Sequence, residues 1–410
     1  MKVCKFRLYP SAEQKKLLEQ QLDLCRELYN AFLEQRIYAH RARRSVGYYF
    51  QQNQIPELKK ALPEFRGIHS QVLQDVAMRV DRAYQNFFLR IREKKSGKQQ
   101  KAGYPRFKPV TRYRSLTYSQ SGFEIVENGR LKLSKIGTVR MFMHRDVDGK
   151  IKTLNISRDQ VGDWFASFSI EKDTIKVHIN EEVKQNPNGV GIDLGLIHIA
   201  AMSDGEVIEP PHFLKRAEKR LKKEQRILSK KEKSSNNRNK QKRKVAKKQR
   251  KVKRQRDDFI HKVSNNLAKN NSLVSFENLN VKDMIKNHHL AKSIMDASWK
   301  KLIQYTTYKA ESAGKMVVMV DPKGTSNTCS RCGWKKSDLE LSDRIFHCIN
   351  CGLEIDRDLN AAINIYKRGL EKIGRGTPEV TPVEIGALPK RATPVFESGS
   401  PLRQRGEDVT

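Results

Sequence analysis

Four cysteines and the acidic string behind them constrain this chain more than any other stretch. Cys329, Cys332, Cys348 and Cys351 stand at C-x2-C-x15-C-x2-C spacing. Each pair can place two thiolates on one tight turn, and the two turns can close a tetrahedral Zn2+ site. Gly333 and Gly352 follow the second cysteine of each pair and supply the left-handed conformation such a knuckle needs. Four reduced core thiols are the alternative, but chance rarely produces both pairs with both glycines. Behind the last cysteine comes Asp356-Arg357-Asp358-Leu359-Asn360-Ala361-Ala362-Ile363-Asn364-Ile365, a helical pattern with an acidic start.

The rest of the chain is dominated by positive charge. Its 410 residues suffice for two or three domains with real cores. Eighty-one Lys and Arg against 46 Asp and Glu give a net charge of +35, which points to a polyanionic partner, nucleic acid first. A basic membrane-surface protein is the competing idea. No apolar run approaches the roughly 20 residues of a spanning helix, and the start Met1-Lys2-Val3-Cys4-Lys5-Phe6 lacks a signal peptide's apolar core. The expectation is a cytoplasmic protein with no membrane partner. Cys4 and Cys25 fall in apolar-patterned stretches and read as small buried hydrophobes.

Residues 2–9 alternate like a strand, and Ser11-Ala12-Glu13-Gln14 is a capping-box pattern opening a long amphipathic helix with Leu17, Leu18, Leu22, Cys25, Leu28, Tyr29, Phe32 and Leu33. A second helix is predicted over about 70–93, its apolar face running from Val72 to Phe87, Phe88 and Ile91. Beyond Gly103 the pattern turns to strands, at 123–126, 131–133, 139–142, 151–156 and 164–170, which suggests a small barrel that strand 2–9 could join. Arg106, Lys108, Arg112, Tyr113, Arg114 and Tyr118 form a cationic and aromatic mixture suited to nucleic-acid contact, with solvated loop charge as the alternative.

After a hydrophilic linker near 184–188, Gly189–Ala201 reads as a buried strand carrying Asp193, followed by a hairpin through Ser203-Asp204-Gly205. Residues 215–256 hold 22 Lys and Arg against Glu218, Glu224 and Glu232, so +19 of the +35 sits there. Leu214, Leu221 and Leu228 recur every seven residues, as do Val245, Val252 and Phe259. This predicts a helical hairpin with a thin apolar seam and cationic faces, Arg243, Lys247 and Arg250 among them, that can lie along phosphates; disorder without nucleic acid is the alternative. Then come a strand ending on Glu277, a linker with His288 and His289 as polar loop residues, a helix over about 294–313, a strand at 317–320 and a tail expected to be flexible.

Three separated carboxylates now stand out: Asp193, Glu277 and an Asp opening the helix behind the cysteines. Converging in an α/β sheet, they suit two divalent ions that hold the attacking water and leaving oxygen of a phosphodiester. Hard oxygen donors favour Mg2+ or Mn2+ over zinc. Of Asp356 and Asp358, Asp358 is favoured because it immediately precedes the helical pattern, leaving Asp356 a supporting or solvent-facing residue.

Gly191-Ile192-Asp193-Leu194-Gly195, Phe276-Glu277-Asn278-Leu279, the four cysteines and Asp356–Ala362 together resemble the RuvC-type nuclease of the TnpB family, transposon-encoded RNA-guided endonucleases related to type V CRISPR effectors. Phe6–Pro10, Arg82–Phe88 and Gly103–Phe107 are similar to that family too, so the resemblance spans residues 1 to about 370. It implies a multidomain α+β protein: a β-barrel wedge domain at 1–10 and 103–182, a helical recognition domain at 11–102, and an RNase H-like nuclease at 188–324 and 354–370. The basic hairpin, 212–268, lies inside the nuclease portion, a zinc-ribbon insert for target nucleic acid spans 325–353, and 371–410 is a flexible tail.

It further implies a monomeric ribonucleoprotein that carries a guide RNA from the transposon end and cleaves double-stranded target DNA beside a short motif, in a prokaryotic cytoplasm and on the nucleoid. Carried over, Asp193, Glu277 and Asp358 hold two catalytic Mg2+ or Mn2+ ions, the cysteines hold structural zinc, and the motif-reading surface includes Ser70, Gln71 and Gln74. The alternatives are a nuclease-inactive RNA-guided repressor and a transposase acting on element ends without RNA; the intact acids favour the nuclease.

Overall fold

The computed structural model describes residues 2–97, 101–171, 188–284, 286–340 and 342–374. They fall into two compact units, Met1–Thr174 and Ile175–Thr410. Among the described residues, no helix is long and apolar enough to cross a membrane.

The first unit is built on β1 (Lys2–Tyr9). Ser11 then caps α1 (Ala12–Arg41): its hydroxyl accepts from the Gln14 amide at 3.2 Å, and the Gln14 side chain accepts from the Ser11 amide at 3.1 Å. Two short helices, α2 (Tyr48–Asn53) and α3 (Ile55–Ala61), precede α4 (Ser70–Lys95). Strands β2 (Ser115–Tyr118), β3 (Phe123–Val126), β4 (Arg130–Leu133), β5 (Gly137–Phe142), β6 (Lys150–Arg158) and β7 (Trp164–Glu171) follow. They join β1 in a seven-stranded antiparallel sheet of order β2-β6-β7-β1-β5-β4-β3. The alternating first strand therefore enters the sheet across the helical insertion, as expected.

One continuous core joins the inward residues of β1 (Cys4, Phe6, Leu8) to α1, α4 and the sheet. Burial pushes the Cys25 thiol up to about 12, consistent with a small core hydrophobe.

Two expectations need correction here. Tyr113 and Tyr118 are core residues, 3% and 0% exposed: Tyr118 lies on the inner face of the edge strand β2, and Tyr113 packs near Tyr29 of α1, ring centres 6.3 Å apart. Lys108 is held inside the unit, with its ammonium 3.9 Å from the centre of the Tyr29 ring; Arg106 and Arg112 are exposed. The apolar face of α4 also ends sooner than its periodicity suggests. It is buried as far as Tyr84, whereas Phe88 is 49% exposed, and Phe87 packs edge-on against Tyr104 at 5.0 Å.

In the second unit β8 (Gly189–Asp193), β9 (Ala200–Met202) and β10 (Val207–Ile208) form a meander turning at Asp204-Gly205. The basic hairpin comes next, α5 (Phe213–Ser229) and α6 (Asn236–Asn270), with Ser235 capping the second helix. Val245 and Val252 are buried at its seam and Phe259 half-buried; the Leu214 side chain lies outside the described residues. The last third of α6 leaves the seam, and its Ile260, Val263 and Leu267 enter the unit's core.

β11 (Leu273–Glu277) returns parallel to β8 and is buried at every residue. The expected linker after it is largely helical, α7 (Val281–Met284) and α8 (His288–Ala297); the His288 and His289 side chains lie outside the described residues. The single helix expected over 294–313 is broken at Ser298 (φ 57°), beyond which α9 (Trp299–Ser312) begins with a buried Trp299. β12 (Met316–Val320) pairs parallel with β11, giving a sheet of order β10-β9-β8-β11-β12. This is the RNase H-like arrangement anticipated for this part of the chain. The small hairpin β13 (Ile345–His347) and β14 (Glu354–Asp356) leads into α10 (Arg357–Lys372). Glu371 and Lys372 thus complete a helix, and the rest of the expected tail, from 375, lies outside the described residues.

α10 crosses β8 and β11 at two points that admit no side chain. A Cβ on Gly191 would lie 2.1 Å from the Ala362 carbonyl oxygen and 2.4 Å from the Tyr366 amide, and one on Gly369 would lie 1.9 Å from the Ser275 hydroxyl. Gly191→Ala is expected to cost about 3 kcal/mol or more, because backbone cannot step aside as a side-chain tip can. Gly103→Ala, which meets nothing within 4 Å, serves as control. A lower thermal midpoint for the first variant alone supports this packing, and equal midpoints contradict it.

Candidate functional site

The three acids are brought together by register and helix direction. Residues 273–276 of β11 pair with 189–192 of β8, so Glu277 ends its strand beside Asp193. α10 runs back along β8: Tyr366 meets Gly189 and Ala362 meets Gly191, so Asp358, one turn before Ala362, arrives at the Asp193 end. Asp356 turns out to be the N-cap of this helix, its carboxylate accepting from the amides of Asp358 at 2.9 Å and Leu359 at 3.0 Å. It fixes the turn that carries Asp358.

Electrostatics reflects the crowding. Burial, then the charges of Glu277 and Asp358, push Asp193 up to about 7, opposed by Arg357 and a hydrogen bond from the Leu194 amide. Burial raises Asp358 as well, with Asp356 adding to it and Arg344, His198 and Arg357 opposing. Glu277, 6% exposed, is raised by burial despite a hydrogen bond from Thr325 and the field of Arg368. Three hard-oxygen donors whose joint ionisation is costly are the donor set a divalent cation relieves, so Mg2+ or Mn2+ fits these residues.

The four cysteines are gathered more tightly. Their sulfurs all lie within 4.8 Å of one another, the one such cluster of three or more His, Cys, Asp or Glu ligand atoms among the described residues. The carboxylates, repelling one another, are neighbours without forming an equally compact shell. Gly333 and Gly352 take φ values of 78° and 68°, the left-handed knuckle conformation, and the Asn350 side chain donates to Cys332 Sγ at 3.4 Å. A tetrahedral thiolate zinc site fits this set. The ribbon's small core of Cys329, Phe346, Cys348, Leu353 and Ile355 also includes Ile363 of α10, so the insert rests on the helix that carries Asp358.

Sequence reasoning missed the residues that tie these parts together. Asn360 donates to the Thr328 carbonyl at 2.8 Å and accepts from the Ser330 amide at 2.9 Å. Asn364 donates to the Thr325 and Thr328 carbonyls at 2.9 and 2.7 Å. Their signal was visible: two amides four residues apart on the otherwise apolar face of a helix must find buried partners. Of the other candidates, Ser70 accepts from Lys59 at 2.9 Å and Gln71 accepts from the amides of Gln120 and Ser121, both at 2.9 Å, so both have roles inside their unit. Gln74 and Arg250 are half-buried; Arg243 and Lys247 are exposed on α6.

Comparison with known proteins now places the chain. Family models described as "Probable transposase", "Cas12f1-like, TNB domain" and "Helix-turn-helix domain" match residues 167–288, 299–365 and 1–45; within the last, the structure has β1 and one uninterrupted helix through Arg41. A Streptomyces pristinaespiralis protein named "Putative RNA-guided DNA endonuclease" is 34% identical over 374 residues, covering 89% of each chain. An Escherichia coli (strain K12) protein named "Putative RNA-guided DNA endonuclease InsQ" is 30% identical over 423 residues, covering 99% of this chain and 97% of its own. A "TnpB-like protein MJ1635" from Methanocaldococcus jannaschii is 32% identical over 118 residues, 28% of this chain and 27% of its own. The chain belongs to the TnpB family.

The raised Asp193 has a stability consequence. Between its ordinary value of 3.8 and about 7 the folded chain keeps a proton that the unfolded chain has released, so this site's contribution to stability falls as pH rises through that window. In metal-free protein, Asp193→Asn should therefore raise the thermal midpoint at pH 8, by roughly 2–4 °C for each kcal/mol relieved, and much less at pH 5. No gain at pH 8 would contradict the crowding.

Proposed function

We propose that the chain is an RNA-guided DNA endonuclease. The observation that carries this reading is the approach of Asp193, Glu277 and Asp358 at the C-terminal ends of the neighbouring strands β8 and β11, where burial and the charges of the other two acids push Asp193 up to about 7. The names of the Streptomyces and Escherichia relatives support it. So does the charge: +35 overall, with a basic hairpin that suits a phosphate-rich partner.

Asp193, Glu277 and Asp358 would hold two Mg2+ or Mn2+ ions. Such ions lower the pKa of an attacking water and neutralise charge on the leaving oxygen. The chain's own contribution is rigidity: β8, β11 and the capped start of α10 hold the three carboxylates on regular elements, where hydrolysis of DNA needs them fixed. Arg357 and Arg344, whose fields reach Asp193 and Asp358, are placed to offset phosphate charge. The seven-stranded sheet (1–10 and 103–182) is read as the wedge domain, 11–102 as the recognition domain and 325–353 as the ribbon that touches target nucleic acid. Guide RNA and double-stranded DNA are the partners, with pairing reading sequence. A repressor or an RNA-free transposase remains the alternative outcome, and no feature of the site favours either.

Zinc in this reading is structural. Cys348→Ser is expected to lower zinc stoichiometry and loosen the ribbon; a full zinc complement in the variant would refute the assignment. For activity, the ribonucleoprotein purified with its own RNA should cut a plasmid bearing the matched target in Mg2+, and Asp193→Ala should not. Failure of the parent to exceed Asp193→Ala across a randomised flanking motif would overturn the nuclease reading. Absence of one dominant structured RNA in the preparation would overturn RNA guidance.

A further inference from the structure

Thr325 is 2% exposed and sits at the entrance to the ribbon, four residues before Cys329. Its hydroxyl faces two acceptors, Oε1 of Glu277 and, at 3.1 Å, the Pro322 carbonyl. One proton serves one acceptor best, and an ionised carboxylate outcompetes a backbone carbonyl. The backbone of Thr325 is itself anchored, since its carbonyl accepts from Asn364 of α10 at 2.9 Å. The same asparagine and Asn360 hold Thr328 and Ser330, which lead directly into the first knuckle. Glu277 is thus gripped from the side of the zinc ribbon, by a segment pinned to the helix that carries Asp358.

We propose that Thr325 is a positioning residue for Glu277: by fixing one oxygen of the carboxylate it orients the other toward the divalent-ion site, and it makes that orientation depend on the ordered first knuckle. This rests on the reading of Glu277 as an ion-binding carboxylate. A hydroxyl that merely closes the Pro322–Thr325 turn would matter for ribbon stability alone. One that aims Glu277 matters for ion affinity while zinc stays bound.

The two roles separate in the full-length protein. Mn2+ binding is followed by the electron paramagnetic resonance signal of free Mn2+, beside zinc content, thermal midpoint and the Mg2+ dependence of plasmid cleavage. Thr325→Val should keep its zinc yet bind Mn2+ roughly 10- to 100-fold more weakly, with half-maximal cleavage at correspondingly higher Mg2+. Thr325→Ser, which restores the donor, should return to within about threefold of the parent. In a Glu277→Gln background, Thr325→Val should weaken Mn2+ no further. Parent-like Mn2+ affinity in Thr325→Val overturns the proposal. Should Thr325→Val lose zinc, Thr325→Ser decides: a loss of about tenfold or more with zinc intact overturns it. A parent that binds Mn2+ no better than Asp193→Ala overturns the reading of the acids, and this proposal with it.

Discussion

The second unit depends on the close approach of α10 to its sheet: backbone against backbone at β8, and backbone against the Ser275 side chain at β11. At Gly191 the helix comes so near that a methyl group would overlap a carbonyl, and at Gly369 one would overlap the Ser275 hydroxyl. That closeness sets the direction and height of the helix, and so puts its first turn at the end of β8 where Asp193 stands. Asp356 then caps the turn and stops the helix from fraying there. Three like charges are held near one another by packing made elsewhere, which is how a fold stores the unfavourable arrangement that an ion later relieves.

The ribbon gains a second meaning from this geometry. It interrupts the chain between β12 and α10, yet its core shares Ile363 with the helix, and Asn360 and Asn364 bind the stretch entering its first knuckle. Instead of hanging from the five-stranded sheet by two strands of chain, the insert is bolted to the element that carries one acid and touches another through Thr325. A metal in the thiolate site and one at the carboxylates would belong to different chemistries. One backbone segment, residues 325–330, touches both sets of residues.

Much of this was legible in the residues. The cysteine spacing with its glycines, the capping box at Ser11, the strand at 2–9 joining the later sheet and the strand ending on Glu277 follow from local pattern, because each rests on a short-range rule; the strand expected over 189–201 instead stops at Asp193, and the next begins at Ala200. What failed to show depends on partners distant in sequence. Tyr113 and Tyr118 resembled nucleic-acid contacts because their burial is decided by distant partners: Tyr113 packs near Tyr29 and Arg79, and Tyr118 sits on strand β2, which pairs with β6. The end of the apolar stripe on α4 depends on where its packing partners stop, which periodicity alone does not mark. Thr325 stays silent in the sequence because a hydroxyl announces a role only when its distant acceptor, Glu277, is known; Asn360 and Asn364 stand out as amides on an apolar helix face, but their partners do not. The break at Ser298, a non-glycine residue at φ 57°, had no glycine or proline to signal it.

On this reading the chain would keep two kinds of metal site apart, thiolate zinc in the ribbon and oxygen-bound divalent ions between Asp193, Glu277 and Asp358. Anomalous diffraction from crystals grown with Mn2+, measured on either side of the zinc and manganese edges, tests this most directly. Zinc density centred on the four cysteines, with manganese density contacting all three carboxylates, is the predicted result. Manganese among the cysteines, or none within reach of the carboxylates in crystals saturated with the ion, would contradict it.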